Sequence, residues 1–282
     1  MNIVVLNGSP KGDLSVTLQY VRYAARKFPE HTFRILPVAQ TIRKIEKDEN
    51  AFQEILDAVK KADAVLWSFP LYFLLVCSQY KRFIELIFER KQEAVFAGKY
   101  TASLSTSVHF FDHTAHNYIH AICDDLRMNF IGSYSAAMYD LMRKPERQRW
   151  LSFARHFLEA AGRGIPVARV YPPLAMKRET YQPGRVETGV EAADKRILIM
   201  KDGRQPAGNI DAMVGQLAAN FRGAADVVDL MDLDIKGGCL GCCKCGLDNI
   251  CDYRGKAGYI DLYNEQVKNA DLVVYAGAIH AR

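Results

Sequence analysis

Short apolar runs alternate with amphipathic stretches of helical length through the first 161 residues, and this rhythm leaves few folds open. The runs cover residues 3–6, 32–36, 64–68, 100–105 and 130–138. They have the length and content of strands buried on both faces of a parallel sheet. Between them lie residues 15–27, 50–61, 76–90, 114–127 and 146–161, which carry helical periodicity. Five strand–helix units in series predict an α/β fold, a doubly wound open parallel sheet over residues 1–162.

Residues 163–194 break the rhythm. Pro166, the Pro172-Pro173 pair, Pro183 and several glycines punctuate a stretch that reads as a linker. Residues 195–282 then restart the alternation, with strands at 196–200 and 227–230 and a helix at 209–221. Ala270-Asp271-Leu272-Val273-Val274-Tyr275 echoes Ala62-Asp63-Ala64-Val65-Leu66-Trp67 ahead of the third strand. That echo is an internal duplication, and it ends after its third strand. The expectation is a second, incomplete repeat with residues 271–279 as an uncovered edge, completed by further chain or by another molecule.

Apolar residues make up 49% and charged residues 24% of the 282, which excludes a disordered chain. A net charge of +5 fits an anionic ligand without demanding nucleic acid. The basic stretch 143–149 contains Glu146 and reads as a solvated helix start. No segment reaches the ~18 apolar residues of a membrane span, and Met1 leads directly into a strand, so a cytoplasmic protein is expected.

The first strand runs into Asn7-Gly8-Ser9-Pro10-Lys11-Gly12-Asp13-Leu14-Ser15-Val16-Thr17, where a helix begins. A loop ending at a helix N-terminus offers unpaired backbone N–H groups and the positive end of a dipole to a phosphate. Ser9, Ser15 and Thr17 add hydroxyls, and Lys11 adds a cation. The alternative is a capped helix start with nothing bound. The loop has neither the Lys-Ser/Thr ending of a Walker loop nor the three-glycine spacing of a dinucleotide fold.

The run from Asn7 to Lys11, followed by Ser15-Val16-Thr17, resembles the Gly-Ser-Pro-Arg…Ser-Asn-Thr phosphate loop of flavodoxin-like NAD(P)H-dependent FMN reductases and iron–sulfur flavoproteins. Val16 stands where that family usually has asparagine. Pro70-Leu71-Tyr72-Phe73 resembles the loop that covers the flavin ring, and Tyr80 to Glu85 the helix behind it. Ser105-Thr106-Ser107, with His109 close after, resembles the third flavin-contacting loop. The resemblance implies a flavodoxin-like sheet of order 2-1-3-4-5 and an FMN site at the carboxyl ends of strands one, three and four. It implies electron flow from a donor such as NAD(P)H through the flavin to an acceptor, or an electron-transfer module serving a redox partner. It also implies pairing of two copies. No side chain reads as an obligatory acid, base or nucleophile. In the second repeat, residues 201–206 replace the hydroxyl-rich loop, so no flavin is expected there.

Two further clusters carry metal-binding chemistry. His113, His116 and His120 share helical spacing, which suits a transition metal, a polar helix face or a wall of the flavin pocket. Cys239-x2-Cys242-x2-Cys245-x5-Cys251 has the close thiol spacing of a [4Fe–4S] site, with Cys243 outside it. Zinc or unliganded thiols are the competing readings.

Overall fold

The computed structural model describes residues 1–109, 111–171, 179–186, 189–192, 194–203, 208–222 and 224–277. The chain divides into two compact units. The first comprises residues 1–174 with 238–241, and the second 175–237 with 242–281.

Five parallel strands build the first unit: β1 (Asn2–Asn7), β2 (Thr32–Leu36), β3 (Ala64–Pro70), β4 (Tyr100–Ser107) and β5 (Asn129–Ala137). Their order is β2-β1-β3-β4-β5, the doubly wound arrangement that the alternation predicts. The connecting helices are α1 (Val16–Lys27), α2 (Ile42–Lys47), α3 (Glu49–Lys61), α4 (Ser78–Glu89), α5 (Asp112–Asp125) and α6 (Lys144–Arg163).

Strand periodicity splits the core into two layers. Val4, Leu6, Val65, Trp67 and Phe69 face the layer of α2–α5, where Phe52, Phe83 and Ile119 are buried. Ile3, Val5, Leu66, Ala102 and Leu104 face α1 and α6. In that second layer the Trp150 indole N–H donates to the Tyr20 carbonyl at 2.9 Å, so its polar atom is satisfied in the core.

The second unit has its own sheet of β6 (Ile197–Lys201), β7 (Ala225–Asp229) and β8 (Leu272–Ala276), all parallel in the order β7-β6-β8. Its helices are α7 (Asn209–Asn220), the single turn α8 (Cys245–Asp248) and α9 (Gly258–Glu265). This is the 2-1-3 part of the first sheet, as an incomplete repeat requires. Its core is small, centred on Ile197, Ile199 and Val214. β8 is an edge strand with Leu272, Val273 and Tyr275 exposed. Residues 278 and 279 of the expected edge, and residues 172–178, 187, 188 and 193 of the expected linker, lie outside the described residues.

Candidate cofactor site

The carboxyl end of β1 carries the phosphate-loop residues, and the surrounding packing explains their spacing. The Gly8 N–H donates to the Ser68 carbonyl at 2.7 Å. A Cβ at Gly8 would lie 2.7 Å from the ring of the fully buried Tyr80. Gly12 has a φ of +54°, and a Cβ there would meet the Gln40 amide at 2.5 Å. Both glycines therefore answer to packing as well as to turn geometry.

Ser9, Ser15 and Thr17 are all buried. The Ser9 hydroxyl accepts the Lys11 N–H at 3.3 Å, and Lys11 itself is exposed. Ser15 stands at the N-cap of α1 in an extended conformation, yet its side chain makes no capping bond. Its hydroxyl is buried with no partner among the described residues. The first N–H groups of α1, those of Val16 and Thr17 among them, have no intrahelical acceptor. An unpaired buried hydroxyl beside unpaired helix N–H groups is costly in an empty protein and suits an oxyanion. The residues fit a phosphate.

Two polar atoms that sequence reasoning missed extend this strip. The Asn7 side-chain Oδ1 accepts the Ser9 N–H at 3.0 Å, while its Nδ2 is buried with no partner among the described residues. The Ser68 hydroxyl is likewise buried with no partner among them. Asn7 and Ser68 are register partners on β1 and β3. The signal was present: each is a polar residue near the carboxyl end of an otherwise apolar strand.

The other two loops converge through backbone and hydroxyl bonds. The Leu71 N–H donates to the Thr106 carbonyl at 2.9 Å, tying the loop after β3 to β4. The Thr106 and Thr17 hydroxyls lie 2.6 Å apart, which joins the end of β4 to the start of α1. Pro70 ends β3, and Leu71 packs into the core, leaving Tyr72 and Phe73 exposed at the rim. Thus Pro70 and Leu71 shape the loop, and the aromatic surface comes from their two successors.

Ser105 turns inward. Ser103 and Ser105 share the β4 face toward α5, where their hydroxyls lie 2.8 Å from Nδ1 and Nε2 of the buried His116. Ser105 donates to the Ser135 hydroxyl at 3.3 Å, and Ser135 donates through a short bond to the Asp112 carboxylate. Because Ser105 spends its proton on Ser135, it must accept from His116 Nε2–H. Nδ1 then accepts from Ser103. The chain therefore has one polarity, running from Ser103 to Asp112. Burial pushes the His116 pKa down to about 4, so the imidazole is neutral.

Asp112 also accepts from His109 Nδ1 at 3.0 Å. Burial opposes ionisation of its carboxyl, but bonds from Ser135 and His109 prevail and hold its pKa below the usual range. The His109 backbone is left-handed (φ 59°), and its N–H donates to the Ser107 hydroxyl at 2.9 Å. His120 stacks on Phe130 with ring centroids 4.1 Å apart. The helical histidine spacing thus reflects core packing at His116 and His120. Among the described residues no three His, Cys, Asp or Glu side chains gather to hold a metal ion.

That finding covers the cysteines too. Cys239, Cys242 and Cys245 are exposed, and Cys251 is partly buried. Cys245 opens the short α8, and the Cys239 sulfur accepts the Gly241 N–H at 3.4 Å. Among the described residues Cys242, Cys245 and Cys251 of the second unit are not gathered as a metal-binding group, so the cluster reading has only the spacing behind it. Cys77 donates to the Gly8 carbonyl at 3.2 Å, and burial pushes its thiol up to about 11.

In the second unit, Lys201 ends β6 at the position that Asn7 holds in β1. Its ammonium lies 2.5 Å from Asp211 at the start of α7 and 2.9 Å from Asp229. Residues 204–206 of the replaced loop lie outside the described residues.

Among known proteins, the model of the NADPH-dependent FMN reductase family matches residues 1–140. No curated protein matches the chain. Similar solved structures include the apo form of an NADH:FMN oxidoreductase, 18% identical, covering 56% of this chain and 89% of its own, with a TM-score of 0.49. Others are an FMN-dependent NADH-azoreductase from Bacillus anthracis (14% identical, 58% and 99% covered, TM-score 0.42) and an NAD(P)H:acceptor oxidoreductase from Paracoccus denitrificans (15% identical, 56% and 97% covered, TM-score 0.43). Among the described residues no helix is long and apolar enough to cross a membrane.

Proposed function

With the first unit a member of the NADPH-dependent FMN reductase family, we propose that it holds FMN at the carboxyl edge of its sheet as an NAD(P)H-dependent oxidoreductase. The observation that carries the site is the buried, unpartnered Ser15 hydroxyl at the start of α1. Ser9, Lys11, Ser15, Val16 and Thr17 would hold the phosphate through hydroxyls, a cation and helix N–H groups. Tyr72 and Phe73 would cover the ring, while Thr106, Ser107 and His109 line the neighbouring loop. Ser105 supports that loop from inside through His116. Bound flavin supplies the redox chemistry, taking hydride from NAD(P)H and passing electrons on.

The protein contributes position and exclusion of water. Thr17 and Thr106 lock two loops together, and the exposed Tyr72, Phe73 and Phe111 at the rim suit coverage by a second copy. Cytoplasmic reducing conditions suit seven unbridged thiols. A cluster-bearing electron-transfer module has only the cysteine spacing in its support.

Ser15→Ala tests the site. It removes a hydroxyl with no structural bond, so thermal stability should hold. Loss of one bond to a charged phosphate, about 1.5–3 kcal/mol, should weaken FMN binding roughly ten- to hundred-fold. FMN affinity equal to wild type, measured by quenching of flavin fluorescence, would remove Ser15 from the site.

A further inference from the structure

Gly238-Cys239-Leu240-Gly241 belongs to the first unit, although the chain on both sides of it belongs to the second. Its two terminal glycines make the approach. A Cβ at Gly238 would overlap the Ser78 hydroxyl and lie 3.1 Å from Gln79 Oε1, at the start of α4. A Cβ at Gly241 would overlap Tyr72 Cζ and lie 2.5 Å from the Tyr72 hydroxyl oxygen. Gly241 is buried with a φ of +63°, whereas Cys239 and Leu240 between the glycines are exposed. The tetrad therefore rests on its two ends, one of them set on the Tyr72 side chain. Tyr72 is 39% exposed where its neighbour Phe73 is 66%. The backbone of their loop is fixed separately. The Leu71 N–H donates to the Thr106 carbonyl at 2.9 Å, and the Leu75 N–H turns back onto the Phe73 carbonyl at 2.6 Å, with Leu74 left-handed between (φ 56°). What remains to be set is the rotamer of Tyr72, and the end of that side chain is what Gly241 meets.

We propose that residues 238–241 are a strap that holds the Tyr72 ring against the flavin, with Gly241 as its positioning residue. The proposal rests on the FMN reading of the carboxyl edge and adds a part of the chain that the phosphate loop and its neighbours do not include. Glycine suits the place on two counts. It adopts the left-handed backbone without strain, and it leaves open the space that the hydroxyl end of Tyr72 fills. The end of a tyrosine ring at the rim moves more easily than a backbone does. A Cβ added at Gly241 therefore displaces Tyr72 and leaves the sheet behind it intact. An aromatic ring stabilises a flat partner only from a stacked or edge-on position, so displacement weakens its hold on the flavin.

Two measurements test it. Asparagine tolerates a left-handed backbone, so Gly241→Asn adds chiefly the collision. Gly255→Asn is the control, since Gly255 has a φ of +67° and a Cβ there would meet nothing within 4 Å. In FMN-free protein labelled with 3-fluorotyrosine, the Tyr72 signal is the one that Tyr72→Phe removes. Gly241→Asn should move that fluorine signal and Gly255→Asn should not, with the urea midpoint read by tryptophan fluorescence unchanged in both. In FMN-loaded protein, Gly241→Asn should release flavin roughly two- to tenfold faster on dilution, as loss of one aromatic contact does. Tyr72→Leu should do the same, and adding Gly241→Asn to Tyr72→Leu should change nothing more. A Tyr72 signal that stays in place in Gly241→Asn overturns the strap. Unchanged release in Gly241→Asn, or a further rise when it is added to Tyr72→Leu, overturns positioning through Tyr72. A fallen urea midpoint in Gly241→Asn would make the glycine structural, which overturns it as well. A chain that takes up no FMN refutes the cofactor reading and the flavin half of the proposal, while the fluorine signal still decides whether the strap holds the ring.

Discussion

Neutral His116 makes the first unit sensitive to mild acid. The ring is buried between Ser103 and Ser105, and its pKa falls from 6.5 to about 4 on folding because burial disfavours the cation. Between those values the unfolded chain binds a proton that the folded chain refuses. Stability therefore rises with pH through this window and is lost as pH falls below about 6.5. A tenfold change in proton affinity is worth about 1.4 kcal/mol, so the full loss approaches about 3 kcal/mol near pH 4. Roughly 2 kcal/mol of it appears between pH 7 and pH 5. Both tryptophans, Trp67 and Trp150, are buried in the first unit, so urea unfolding followed by tryptophan fluorescence reports that unit alone. His116→Gln removes the titrating ring but keeps an amide for the serines. Other groups titrate alike in both proteins, so the difference between their pH 7 to pH 5 losses isolates His116. Wild type should lose about 2 kcal/mol more than the variant. Equal losses would refute the reasoning, since the ring would then be protonated as readily folded as unfolded.

Gly8→Ala should cost about 1–3 kcal/mol by forcing a methyl group against the Tyr80 ring, seen as a lower urea midpoint. An unchanged midpoint would mean that the loop shifts freely. Asp124 is buried and accepts the N–H groups of Val170 and Tyr171 at 2.8 Å each. Asp124→Ala should therefore release that segment and speed tryptic cleavage after Arg169, which gel analysis of timed digests would show.

The sheet was legible because parallel strands must be apolar on both faces and helices amphipathic, and each pattern is local. The strand ends were not. β1, β3 and β4 run on to Asn7, Pro70 and Ser107, where apolar periodicity stops but the hydrogen-bond ladder does not. Those extra residues are the ones that border the site. α2 escaped notice because six residues are too few to show a period. Local spacing misled most at the histidines. His116 matches His113 and His120 along a helix, but its partners are serines on β4, a contact that spacing cannot reveal. Ser105 was read as a cofactor contact, whereas its hydroxyl bonds inward to His116 and Ser135. The duplication was readable for a physical reason. The Asp63 carboxylate accepts the Asn2 N–H at 2.8 Å where β1 begins, and the Asp271 carboxylate accepts the Arg196 N–H at 2.9 Å ahead of β6. In both repeats the backbone bond runs in return, from Asp63 to Asn2 and from Asp271 to Arg196. The Ala-Asp echo thus marks one device for aligning the first and third strands.

The two repeats share the device that aligns their strands, but not the residues at the far ends, and that difference sets how many flavins each chain binds. Where the first repeat ends β1 with Asn7 and leads into buried hydroxyls, the second ends β6 with Lys201 held by Asp211 and Asp229. A lone lysine there would attract a phosphate, but this one is already neutralised. Its pKa is raised by the two carboxylates that bond to it. Asp211 also sits in the first turn of α7, where a helix N-terminus would otherwise favour an anion. At Lys201, among the described residues, a phosphate meets the Asp211 and Asp229 carboxylates around one ammonium. FMN should accordingly bind once per chain, and Ser15→Ala should weaken that one site. Calorimetric titration gives the count directly. A stoichiometry of two, or residual tight binding after Ser9, Ser15 and Thr17 are all replaced by alanine, would show that the second repeat binds phosphate despite its carboxylates.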